Sequence, residues 1–126
     1  MNNSTNALNW FEIPATNILR AKEFYEMVFS IEMPVHEMYE SKMAFFPYEP
    51  RSGKATGAIA QSDMHKPSKE GSIIYLNANP NMDPFIERVA KAGGKILVPK
   101  MGIGENGFIA FIEDTEGNKV GIHSEE

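Results

Sequence analysis

A chain of 126 residues, 42% hydrophobic and 23% charged, has the makeup of one folded domain, long enough to bury a core and too short for two independent ones. Seventeen acidic residues against twelve basic leave a net charge of −5, which argues against nucleic acid or anionic membrane as a partner. With no cysteine, disulfides, thiolate metal sites and cysteine nucleophiles are excluded, and the expected location is the cytoplasm.

The opening residues, MNNSTNALN, are polar and lack the basic and apolar regions of a signal peptide. No apolar stretch nears the roughly 20 residues of a membrane span. A strand is predicted over 8–14. It leads into a helix that Thr16 or Asn17 can cap, with Ile18, Ala21, Phe24, Tyr25 and Val28 forming one apolar stripe at helical spacing. Three strand-like runs follow, at about 31–39, 41–48 and 55–61, with turn residues at 50–53. The polar stretch SDMHKPSKEG, residues 62–71, reads as a linker.

The plan then repeats. A strand at 72–78 leads to a helix beginning NMDPFIERVAKAGG, which Asp83 can cap, with Pro84 in its first turn and Gly93 as the left-handed residue that ends it. Strands at about 95–101, 107–113 and 118–124 complete it, with DTEGN at 114–118 as a turn. GIGENG, residues 102–107, has the spacing of a dinucleotide-binding loop, but a strand follows it where that motif needs a helix, so it reads as a hairpin. Matching Trp10 to Ser72, an offset of 62, gives two βαβββ modules within a single domain over 1–126, module one at about 7–61 and module two at about 72–124. The expected fold is α+β, a curled mixed sheet around a shared cleft with the helices outside.

Alternation along a strand sends Phe11 and Ile13 under the first helix and turns Trp10 and Glu12 to the opposite side, the expected cleft. A glutamate there, beside an indole, is a candidate acid–base group with a raised pKa. Its structural alternative is a strand glutamate that reaches solvent or pairs with a cation. On the last strand, His123 falls on the same face as Lys119 and Gly121. If it meets Glu12 across the cleft, the two form an acid–base pair, since histidine titrates near neutral pH. His36, on a mid-sheet strand, and His65, in the linker, rank below it. Met33, Met38, Met43 and Met101, with Phe45, Phe46, Phe108 and Phe111, are expected mostly in the core, and any on the cleft face would favour a flat, aromatic or hydrophobic ligand.

Three stretches taken in order, FEIPATNILRAKEFYEMVF, AGGKIL and FIEDTEGNKVGIHS, resemble the vicinal oxygen chelate superfamily, also called the glyoxalase/bleomycin resistance/dioxygenase family. The last is similar to that family's closing hairpin, with Thr115 in place of the usual proline. The resemblance implies metal-ligand positions at Trp10, about Ala60, Ser72 and Gly121. None carries an imidazole or carboxylate, so no metal or other cofactor is expected, and the nearest likeness is to the glyoxalase-related branch without these ligands.

The expected ligand-binding set is Trp10, Glu12, Ala60, Ser72, Ile74, Lys119, Gly121 and His123, with Glu12 and His123 as catalytic candidates. A small molecule is the expected partner. One reading is metal-independent acid–base catalysis of a lyase or isomerase kind. A second is sequestration of the ligand without chemistry, as in the resistance proteins of the family. A third, ranked last, is a metal enzyme with Glu12 and His123 as displaced ligands. The resemblance and the open sheet edges imply a homodimer. Light scattering on the purified protein at micromolar concentration should therefore give twice the chain mass, and a monomer mass would contradict this.

Overall fold

The computed structural model describes residues 1–126, except that the side chain of Met38 lies outside the described residues. The first module runs β1 (Trp10–Pro14), α1 (Ile18–Phe29), β2 (Val35–Met38), β3 (Ser41–Phe45) and β4 (Thr56–Gln61). The second runs β5 (Tyr75–Asn77), α2 (Asp83–Val89), β6 (Lys95–Gly102), β7 (Phe108–Glu113) and β8 (Lys119–Ser124). Each module makes its own four-stranded mixed sheet, ordered β1-β4-β3-β2 and β5-β8-β7-β6. First and last strands pair in parallel, the others antiparallel. The α+β class and the two similar modules are as the sequence indicates, and neither sheet closes on itself. Among the described residues no helix is long and apolar enough to cross a membrane.

The first residues of β1 and β5 lie 65 apart and those of β4 and β8 lie 63 apart, so no single offset relates the two modules. In both modules the parallel ladder joins residues 46 apart, Trp10 with Thr56 in the first and Tyr75 with Gly121 in the second. The strand expected to begin at Ser72 starts three residues later, because residues 68–74 lie along β8 through isolated contacts, Lys119 N–H to the Ser68 carbonyl and Gly121 N–H to the Ile74 carbonyl.

Helix α1 forms where its stripe predicts. Ile18, Ala21, Phe24, Tyr25 and Val28 are all buried, and Asn17, one of the two expected caps, accepts the Arg20 N–H at 3.2 Å. Ser30 ends the helix in the left-handed region at φ 54°. In α2 the cap position falls on Met82, and Asp83 instead pairs with Lys100 at 3.1 Å. Gly93 takes a left-handed φ of 99° beyond the helix end. The two helices meet where Phe29 and Phe85 pack with ring centroids 5.3 Å apart and Arg88 donates to the Val28 carbonyl at 2.8 Å. One continuous core therefore lies under both sheets, with Ile13, Phe24 and Ile59 from one module against Leu76, Ile112 and Ile122 from the other. Met33 and Phe46 belong to it, whereas Met101 is exposed.

The β7–β8 turn ties the modules together. Its Glu116 carboxylate, with no exposed surface, accepts the Thr16 and Asn17 N–H groups at 2.9 and 2.8 Å and a two-point contact from Arg20. A carboxylate at a helix N-terminus satisfies donors that the helix leaves unpaired and opposes its dipole. In the same turn Asp114 accepts the buried Tyr25 hydroxyl at 2.7 Å, and Asn118 donates to the Pro14 carbonyl at 2.7 Å. Burial and the neighbouring Asp114 together push the Tyr25 phenol well above its ordinary value.

Burial opposes ionisation of Glu116, but the bonds from Arg20 and Asn17 outweigh it and hold the pKa below the ordinary carboxylate value. A depressed folded-state pKa contributes stability that is present above the unfolded pKa and lost as pH falls through the folded one. Glu116→Gln should cost about 1–3 kcal/mol near neutral pH and make the acid limb of the stability profile shallower. Chemical denaturation of both proteins from neutral to acid pH measures this. An unchanged midpoint and acid limb would show that the contact carries no stability.

Candidate functional site

The alternation expected for β1 holds. Ile13 is buried and Phe11 packs against the same core, while Trp10 and Glu12 occupy the opposite face. Glu12 stands opposite Ala58 in the ladder, and the small side chains of Ala58 and Ala60 leave the glutamate room to lie along the sheet. Trp10 sits at the edge of an aromatic row on this face, 5.8 Å from Phe45, which lies 5.1 Å from His36.

Both oxygens of Glu12 are engaged. Trp10 Nε1 donates to Oε2 at 3.1 Å, and His65 Nε2 lies 2.7 Å from Oε1. His65 Nδ1 is 2.6 Å from Ser62 Oγ, and that oxygen accepts the Met64 N–H at 3.1 Å. The histidine that meets Glu12 is thus the linker residue His65. His123 lies on the expected face of β8, but its Nε2 bonds the Asn106 carbonyl at 2.5 Å.

The pKa of Glu12 departs from expectation. Burial pushes it up, as anticipated, but the hydrogen bonds from His65 and Trp10 oppose burial and, with the lesser attraction of the His65 ring in its protonated form, leave it below the ordinary value. Glu12 is therefore ionised at neutral pH, suited to accept a proton or a hydrogen bond and not to donate one.

Of the expected ligand-binding residues, Glu12, Ser72, Ile74 and Lys119 line one cleft of about 200 Å³, together with Lys66 and Glu70. Trp10 does not line it and reaches it only through its bond to Glu12. Ala60 is on the same sheet face but fully buried, packed with Ala58 beneath Met43 and Phe45. Gly121 is also buried, under the Tyr75 ring. A Cβ at 121 would come within 2.4 Å of that ring, so the glycine lets Tyr75 lie flat on the strand. Lys119 extends over Phe111 with its ammonium 5.8 Å from the ring centroid, and no carboxylate pairs with it among the described residues.

Sequence reasoning missed a second concavity, an apolar groove of about 510 Å³ on the helix side of the module junction, formed by Leu8, Phe11, Phe29, Phe46, Tyr75 and Phe85 among others. It has no carboxylate, imidazole or ammonium. Phe29 and Phe85, one on each helix and both only partly buried, are the signal that could have pointed to it.

The positions at which the resemblance implies metal ligands hold an indole, a methyl, a hydroxyl and a glycine hydrogen, which do not make a donor set for a divalent cation. Among the described residues no three His, Asp or Glu side chains gather closely enough to replace them.

The model of the Glyoxalase/Bleomycin resistance protein/Dioxygenase superfamily matches residues 7–122. A glyoxylase-like domain-containing protein of Didymella fabae is 31% identical over 115 residues, 88% of each chain. A Mycobacterium tuberculosis protein named "Putative glyoxylase CFP32" is 27% identical over 116 residues, 90% of this chain but 44% of its own length. This chain thus spans less than half of that relative. Among solved structures, Leishmania major glyoxalase I superposes with a TM-score of 0.68 at 14% identity, over 96% of this chain and 88% of that one. A mutant glyoxalase I of Zea mays gives 0.67 at 17% identity, over 93% and 45%. At such identities the likeness is one of fold, and it agrees with the two modules seen here. The chain belongs to the Glyoxalase/Bleomycin resistance protein/Dioxygenase superfamily.

Proposed function

We propose that this domain binds a small molecule in the cleft between Glu12 and Lys119, and that Glu12 acts there as a base in a metal-independent proton transfer. The observation that carries the reading is the anchoring of Glu12. A carboxylate held at both oxygens, by Trp10 and His65, at the mouth of a cleft is preorganised, so it need not reorient when it takes a proton. Lys119 supplies the opposite charge. An ammonium facing the cleft can steady the negative charge that develops on a ligand carbonyl oxygen when a neighbouring C–H proton leaves. The glyoxylase-type names of the relatives support a lyase- or isomerase-like class. Pairing of two copies through the open outer edges of the sheets belongs to the same proposal.

The apolar groove favours a second reading. A concavity of about 510 Å³ without a carboxylate, imidazole or ammonium suits capture of a hydrophobic molecule with no chemistry.

Deuterium exchange separates the two readings. Small aromatic and aliphatic carbonyl compounds are incubated with EDTA-treated protein in D₂O, and proton NMR follows exchange beside the carbonyl. The proposal predicts catalysed exchange that falls about 10²- to 10⁴-fold in Glu12→Gln. Because the Glu12 pKa is depressed, the rate should hold through neutral pH and decline only as pH drops through that lowered value. Exchange of equal rate in wild type and Glu12→Gln would refute the base assignment. Compounds that bind without exchanging would favour sequestration.

A further inference from the structure

Ser62 takes no part in that reading, yet it completes a familiar set of chemical roles. It follows Ala58 and Ala60 at the two-residue spacing of β4, which puts it toward the Glu12 face of the sheet. The chain then turns, and His65 N–H closes the turn on the Ser62 carbonyl at 3.2 Å.

Hydrogen-bond accounting assigns the protons. Glu12 is ionised and has none to give, so its 2.7 Å contact with His65 requires a proton on Nε2. In the neutral ring Nδ1 then carries a lone pair, 2.6 Å from Ser62 Oγ. That oxygen already accepts the Met64 N–H, so its own proton is the one directed at Nδ1. A hydroxyl, a ring nitrogen that accepts its proton and a carboxylate that holds the other ring N–H are the three roles of a nucleophilic triad, recognised by geometry and not by order in the chain. Here the ring is reversed, Nδ1 toward the hydroxyl and Nε2 toward the carboxylate, which leaves the acid–base chemistry the same.

Ser62 and His65 open onto a second cleft of about 400 Å³, which Lys42, Lys66, Glu40 and Asp63 also line and which meets the Lys119 cleft at Lys66. Neither lysine has an ion-pair partner among the described residues. Their ammonium groups can meet a developing oxyanion, while Glu40 and Asp63 disfavour an anionic substrate. The geometry points to Ser62 as a nucleophile for small neutral acyl esters, with His65 as its base and Glu12 positioning the ring.

In the first step Ser62 Oγ bonds to the ester carbonyl carbon as its proton passes to Nδ1. The carbon–oxygen bond to the alcohol then breaks, and the alcohol leaves with that proton. Water next attacks the acyl-serine, its hydroxyl joining the departing acid and its proton returning through Nδ1 to Ser62 Oγ. No oxidant or reductant is needed. The inference shares Glu12 and His65 with the proposed proton transfer but uses another cleft and substrate class, and the deuterium-exchange assay reads Glu12 without any acyl transfer. The two therefore fail separately.

A fluorophosphonate probe and p-nitrophenyl acetate, followed by intact mass and peptide mapping, test it on the full chain. Expected is one adduct at Ser62, absent from Ser62→Ala, slowed about 100-fold or more in His65→Ala and restored there by added imidazole. If thermal melts show His65→Ala unfolded, Glu12→Gln must slow labelling about 10-fold or more. Adducts on lysines with none at Ser62, or labelling at Ser62 indifferent to these substitutions, would overturn the inference and leave the Ser62–His65 contact as a clamp on the turn.

Discussion

The contact on which the rest of the structure depends is the capping of one module's helix by a carboxylate from the other. Glu116, in the β7–β8 turn, holds the N-terminus of α1 at Thr16 and Asn17, and Asn118 from the same turn holds the Pro14 carbonyl at the end of β1. Strand β1 is thereby fixed at its end by the second module and along its length by the parallel ladder to β4. Side chains alternate along a strand, so a slip of one residue would bury Trp10 and Glu12 and expose Phe11 and Ile13. The position of Glu12 at a cleft mouth follows from that register.

The chemistry of Glu12 is a contest between desolvation and hydrogen bonding. Partial burial alone would raise its pKa and make it a proton donor. The indole of Trp10 and the imidazole of His65 reverse the sign and keep it a carboxylate. His65 also ties β1, 53 residues earlier, to the turn that follows β4, through Glu12 and Ser62. Its side chain links the cleft that Glu12 shares with Lys119 to the one that Ser62 shares with Lys42.

Local features of the fold were legible in the sequence because local patterns determine them. The five-residue stripe of α1, the Asn17 cap and the in-out alternation of β1 each follow from spacing within a few residues. The repeat was visible too, but the point where β5 begins to pair with β8 was not, because Ile73 and Ile74 run into Tyr75 and Leu76 with no break in apolar character at that boundary. Asp83 had the residue type and place of a cap, and a lysine on β6 took it instead. His65 ranked low because it sits in a polar linker 53 residues from Glu12, and nothing in either stretch announces the contact. Glu116 was read as a turn residue for the same reason. Its partners lie about a hundred residues earlier in the chain.

Trp10 offers the most direct test, since it is the chain's single tryptophan and its indole N–H is already bonded to Glu12. A small set of aromatic carbonyl and carboxylate fragments, titrated into ¹⁵N-labelled protein, would show which concavity is the binding site. The account predicts shifts in the Trp10 indole signal and in the backbone amides of Ser72 and Lys119. Shifts confined to Phe29, Phe46 and Phe85 would contradict it and move the site to the apolar groove.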